Sequence, residues 1–214
     1  MDQTKKNIIL IGGGGHCKSC IELIRATGQY NIRGILDLPS ELGKNVLGIE
    51  VVGTDDDYSN LHNERNEFLV TVGQIKTPET RIKIFEKLKS INARIATVIA
   101  PTAYVAGSAI VEEGSVVMHN TFVNAGVKIG VNNIINTGAI IEHDAVIGNH
   151  NHISTGSVIN GDCIIGNGNF IGSGSCLVNG IRVNDHIVIG AGSIVINHLL
   201  DKGSYVGNPA KRIK

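Results

Sequence analysis

From Ile99 to Val195 every sixth residue is isoleucine, leucine or valine, without a miss. For the residue frequencies of this chain, such a run arises by chance on the order of once in a billion. A period of six fits neither an α-helix, at 3.6, nor a simple alternating strand, at 2. Four places after these aliphatic residues the side chain is usually small, as at Ala103, Ala109, Ser115, Ala139, Ala145, Ser157, Cys163 and Ser175. A short strand followed by a tight turn accounts for both, with one bulky and one small residue pointing inward on each side. Asparagine and glycine fill many of the turns, where they tolerate positive φ at low cost.

Three such sides close a triangular coil of about eighteen residues, and coils stack about 4.8 Å apart through main-chain hydrogen bonds. The run predicts between five and six coils, a prism roughly 27 Å tall, whose aliphatic ladders no single repeat could bury alone. Composition agrees, since aromatic residues are only 4% of the chain and tryptophan is absent.

The first third reads differently. The segment KNIILIGGGG predicts a buried strand entering a glycine-rich loop, then a helix from about Lys18 to Thr27. A second strand, Ile32–Leu36, ends at Asp37, and a third, Phe68–Val72, precedes Gly73 and a helix opening at Pro78. Strands alternating with helices predict a small parallel sheet with its ligand site at the carboxyl ends of the strands. The expected organisation is a Rossmann-like α/β domain over 1–96 followed by a parallel β-helix over 97–214.

Formal net charge is zero, so there is no basic footprint for nucleic acid and no polybasic membrane patch. The amino terminus lacks the features of a signal peptide or a membrane span, and a cytoplasmic chain with reduced cysteines is expected. Cys17 and Cys20 form a C-x-x-C without a second Cys/His pair at zinc spacing. They read as small apolar residues at the start of a helix. No metal is expected.

Two places carry chemistry. The loop GGGGH lets backbone N–H groups approach phosphates at a helix N-terminus. Asp37, at the end of the next strand, is placed to accept hydrogen bonds from a ribose or a base. In IIEHDAVIG, Glu142, His143 and Asp144 share one hexapeptide and must project from the prism. Imidazole suits a general base near neutrality, and Asp144 is the candidate to orient the ring of His143.

Together the glycine loop ending in Gly-His, the strand ending in Asp, the hexapeptides and the terminal GNPAKRIK resemble one family over essentially the full chain. It is the group of bacterial UDP-4-amino-sugar N-acetyltransferases and sialic acid O-acetyltransferases. The resemblance implies a left-handed β-helix, a homotrimer, and acetyl-CoA bound between neighbouring prisms. It implies a nucleotide sugar held at Gly14, Gly15, His16 and Asp37, with Gly73 beside them, and catalysis by His143 with Asp144. On the cofactor side it implies His152 hydrogen-bonding the thioester carbonyl, Gly161 leaving room for the pantetheine arm, and contacts from Ser173 and Lys211. Two positions depart from the family pattern, Cys17 after Gly-His and Leu38 after the aspartate. The expected reaction is acetyl transfer to the amine of a UDP-linked 4-amino-4,6-dideoxy sugar for surface glycan synthesis. Sialic acid O-acetylation is the first alternative, and a zinc carbonic anhydrase-like β-helix or a non-catalytic trimeric scaffold are the others.

Overall fold

The computed structural model describes residues 5–213. They divide into two compact units, one formed by the chain up to Gly73 with Glu79–Val98, the other by Gln74–Pro78 with Ile99 onward.

The first unit is a six-stranded sheet in the order β3-β4-β2-β1-β5-β6. Its strands are β1 (Lys6–Ile11), β2 (Tyr30–Leu36), β3 (Asn45–Val46), β4 (Ile49–Gly53), β5 (Asn66–Val70) and β6 (Arg94–Ile95). All neighbours are parallel except the β3–β4 hairpin. Ile8, Ile9, Leu10 and Ile11 are at most 2% exposed, which is why β1 reads as a continuous apolar run and not an alternating one.

Helix α1 (Gly15–Thr27) buries the stripe Cys17, Cys20, Ile21, Leu23 and Ile24 and ends at Gly28, whose left-handed φ of 66° lets its N–H reach Arg25 O. It begins three residues earlier than the sequence predicts, directly out of the glycine loop. The third main strand is displaced from the predicted Phe68–Val72 to Asn66–Val70, because the Thr71 hydroxyl turns back onto the carbonyls of Ile11 and Gly12. A short helix α2 (Tyr58–Leu61) precedes β5, and helix α3 (Glu79–Ser90) starts just after Pro78. With β2 on one side of β1 and β5 on the other, the strand order reverses at β1, and the crevice lies at the carboxyl end beside Gly12–Gly15.

The second unit is a left-handed parallel β-helix. Its three sides are parallel sheets of two-residue strands paired eighteen residues apart. Side one contains Val116–Val117, Ile134–Ile135, His152–Ile153, Phe170–Ile171 and Val188–Ile189. Side two runs from Tyr104–Val105 through Phe122–Val123, Ile140–Ile141, Val158–Ile159 and Cys176–Leu177 to Ile194–Val195. Side three contains Ile110–Val111, Lys128–Ile129, Val146–Ile147, Ile164–Ile165 and Arg182–Val183.

The second residue of each pair points inward, and Ile135, Ile141, Ile153, Ile159, Ile171 and Leu177 are fully buried. The small inward residues Ala139, Ala145, Ser157, Cys163 and Ser175 are buried as well. Glycine and asparagine do occupy left-handed turn positions, but so do Asp144, His150, Asp162 and His186. A polar ladder, Asn133, Asn151 and Asn169, is also fully buried. Each side-chain oxygen takes the N–H of the residue one coil on, at 2.8, 2.8 and 2.7 Å. This ladder fixes coil register where side three turns into side one.

The chain end closes the prism. Ser204–Val206 pairs with the last strand of side one, Lys211–Arg212 folds back on it antiparallel, and the N–H of Ala210 donates to Ile194 O. Among the described residues no helix is long and apolar enough to cross a membrane.

Candidate active site

His143 stands at the corner where side two turns into side three, with half of its side chain exposed (52%). Asp144 follows it in the left-handed conformation, φ 60°, which swings the carboxylate back so that Nδ1 of His143 meets Oδ2 at 3.0 Å. Nδ1–H donates to the carboxylate, and Nε2 is left with its lone pair directed away. This hydrogen bond, reinforced by the charges of Asp144, Asp162 and Glu142, raises the imidazole above its ordinary 6.5. Glu142 itself accepts from Asn124 at 2.6 Å and is tied to the scaffold.

One coil along, Gly161 sits directly against the ring. A Cβ there would lie 2.7 Å from Nε2 and 2.8 Å from Cε1 of His143, and 3.2 Å from Nδ2 of Asn179. The absence of a side chain at position 161 thus leaves the place taken by the imidazole of His143.

The predicted cofactor residues lie elsewhere on the prism. His152 projects from side one and is 8% exposed. Its Nδ1 meets the carbonyl of Gln74 at 2.7 Å and its Nε2 meets Nδ2 of Asn136 at 3.1 Å. Oδ1 of Asn136 accepts from Thr137 N–H, so Asn136 turns its NH₂ toward the ring. The arrangement assigns the proton to Nδ1 and makes Nε2 an acceptor. Both ring nitrogens of His152 therefore have partners within the chain. Ser173, at the corner after side one, pairs with the Ser154 hydroxyl at 2.9 Å, and Lys211 is exposed beside the last strand of side one. His150, at a turn, bonds Asn132.

In the first unit, Gly12 adopts φ +97°, and its missing Cβ is required by the close approach of Val72. Gly14 and Gly15 face open space, and Gly14 caps α1 without a side-chain hydrogen bond. First-turn N–H groups of this helix are therefore presented to the crevice. Asp37 is less available than expected. Oδ2 accepts from Gly13 N–H at 2.6 Å and Oδ1 from Leu38 N–H at 2.8 Å, so the carboxylate braces the loop and retains only its remaining lone pairs for a ligand. Gly73 lies against His16, 3.5 Å from its Cβ to the position a Cβ of Gly73 would take. A cavity of about 670 Å³, lined by Asn7, Ile9, Arg33 and Asn66 among others, opens along the strands and not at their carboxyl ends.

Comparison with known proteins bears on this arrangement. Residues 7–88 match the family described as the PglD N-terminal domain. Over 98% of its length the chain aligns with all of the acetyltransferase domain of PglB from Neisseria gonorrhoeae, at 32% identity and a TM-score of 0.90, and that domain has also been solved with acetyl coenzyme A. PerB, a perosamine N-acetyltransferase from Caulobacter crescentus solved with CoA and GDP-perosamine, aligns over 97% of both chains at 32% identity and a TM-score of 0.90. WeeI from Acinetobacter baumannii shares the fold at 20% identity and a TM-score of 0.86. The chain belongs to the PglD-like family of hexapeptide-repeat sugar acetyltransferases. It is an acetyltransferase.

For a PglD-like acetyltransferase the placement of the cysteines matters. Cys163, the thiol nearest His143 in the coil register, is fully buried in the aliphatic interior, with Sγ 3.2 Å from Val178 O and its pKa raised by burial. It is not presented to the ring of His143. Cys17 and Cys20 are also fully buried, with burial pushing the thiols up to about 11 and about 12. None of these three has the thiolate character of a nucleophile.

Sequence reasoning missed Asn136, Gln74 and Asn179. Asn136 and Asn179 sit in columns of the repeat, one coil before Ser154 and one coil after Gly161. That register was readable once the period was known.

Proposed function

We propose that this chain transfers the acetyl group of acetyl-CoA to the amine of a UDP-linked 4-amino-4,6-dideoxy sugar, with His143 as general base and Asp144 as its orienting carboxylate. The observation that carries the reading is the His143–Asp144 pair, whose Nε2 is open to an acceptor. End-to-end likeness to PerB and to the PglB acetyltransferase domain supports the reaction class, since those proteins are described with CoA, acetyl-CoA and GDP-perosamine. The structure of a PerB variant with one histidine replaced by asparagine has been solved in the presence of its sugar nucleotide. The Gly-His loop and Asp37 support a nucleotide diphosphate at the carboxyl ends of β1 and β2, with Gly14, Gly15, His16 and Gly73 lining it.

The reaction balances without an acyl-enzyme. The free amine attacks the thioester carbonyl while Nε2 accepts its proton, and the imidazolium is held by Asp144. Collapse of the tetrahedral intermediate expels the CoA thiolate, which takes the proton back from His143. The products are an N-acetyl sugar and CoA thiol.

We also propose a homotrimer. His143, Asp144 and Gly161 occupy one corner of the prism, while His152, Ser173 and Lys211 gather on and beside side one. One acetyl-CoA meets both groups when one copy supplies the corner and its neighbour supplies side one. Side two borders the His143 corner and carries an outward column of Tyr104, Phe122, Ile140, Val158, Cys176 and Ile194, with Tyr104 stacked on Phe122. Tyr104, Phe122 and Ile140 are 55%, 36% and 36% exposed, an apolar strip suited to a second copy. Sedimentation at micromolar concentration is expected to give three times the chain mass, and a monomer would overturn this arrangement.

The deciding assay follows release of CoA thiol from acetyl-CoA with UDP- and GDP-linked 4-amino sugars and with free sialic acid. Turnover is expected with the UDP-linked sugar. Exclusive turnover of sialic acid would replace the N-acetyltransferase reading with O-acetylation.

A further inference from the structure

Asparagines are frequent in the β-helix, and most of those near the corners are spent on the scaffold. Asn124 donates to Glu142, Asn136 to His152, and Asn160 to Leu177 O. Asn149 and Asn167 accept main-chain N–H groups from the coil before. Asn179 differs. It is exposed, and among the described residues its side chain has no hydrogen-bond partner.

Its position is specific. Asn179 lies in the same corner column as His143 and Gly161, at successive intervals of eighteen residues. Nδ2 of Asn179 and Nε2 of His143 approach one and the same point above Gly161, from 3.2 and 2.7 Å. An uncommitted amide and the open nitrogen of the base therefore face the same small space above Gly161. An amide both donates and accepts, so it can hold a hydroxyl next to the reacting amine in either sense.

We infer that Asn179 is an acceptor-contact residue, which hydrogen-bonds a hydroxyl of the amino sugar beside its nucleophilic nitrogen and so holds that nitrogen at Nε2 of His143. The inference rests on the reading of His143 as base. It makes Asn179 a determinant of sugar selectivity: acceptors with a hydroxyl next to the amine are favoured over deoxygenated analogues.

The test compares the unmodified chain with Asn179→Ala on the nucleotide sugar found active in the assay above. A neutral hydrogen bond is worth about 1 kcal/mol, which corresponds to about a fivefold change. KM for the nucleotide sugar is therefore expected to rise about fivefold, with KM for acetyl-CoA and the melting temperature unchanged. The variant is also expected to lose discrimination against the acceptor lacking the vicinal hydroxyl. Unchanged sugar KM and selectivity, a shift confined to acetyl-CoA, or a fall in melting temperature that accounts for the loss would each overturn the inference. Absence of turnover by the unmodified chain with every amino sugar overturns the reading beneath it, whereas turnover indifferent to Asn179→Ala overturns this step alone.

Discussion

His143→Ala is expected to lower kcat by about 10²- to 10⁴-fold, the range for loss of a positioned general base, with KM for both substrates within about twofold. The side chain is half exposed, so the melting temperature of the variant should match that of the unmodified chain. A folded variant with undiminished turnover would sink the proposed mechanism. The same pair sets the pH profile. Only neutral His143 accepts a proton, and its hydrogen bond to Asp144 raises its pKa above 6.5, so kcat/KM should rise with pH through a midpoint above that value. Asp144→Asn removes the largest cause of the shift, and the acidic limb should move toward lower pH while the maximal rate falls. Asparagine is the right replacement, since it tolerates the left-handed backbone that position 144 requires. An acidic limb that stays in place in Asp144→Asn would mean that another group titrates.

Much of this is legible in the sequence alone. The aliphatic period from Ile99 to Val195 determines which residues face inward, and through the columns of eighteen it places His143, Gly161 and Asn179 on one corner. The strand–loop–helix beginning at Lys6 was legible for the same reason, a buried parallel strand being nearly all apolar. Periodicity cannot say which way an exposed ring leans or which partner a polar atom takes. Asp37 was read as a ligand acceptor, yet the main-chain N–H groups of Gly13 and Leu38 reach its two oxygens first. The partner of His152, Gln74, is distant in sequence and so not legible from the repeat. Gly161 reads as a gap for a ligand in the sequence, where a missing side chain shows and the imidazole lying against it does not.

That last difference yields a sharp experiment. Gly161 lies outside the positive-φ turns of the prism, so alanine meets no backbone strain there. Its Cβ nevertheless falls 2.7 Å from Nε2 of His143, closer than carbon and nitrogen can approach. What yields is the ring, the far end of a flexible and half-exposed side chain, and not the coil. Gly161→Ala should therefore fold with an unchanged melting temperature while moving the imidazole by about 1 Å, a displacement that costs on the order of 10²-fold in rate. The loss should appear in kcat and should vanish in the His143→Ala background, where there is no ring to displace. If glycine instead leaves space for the cofactor arm, KM for acetyl-CoA rises, and the two substitutions act additively. The double-mutant comparison separates a seat for the base from a channel for the thioester, because only the former makes the effect of residue 161 depend on residue 143.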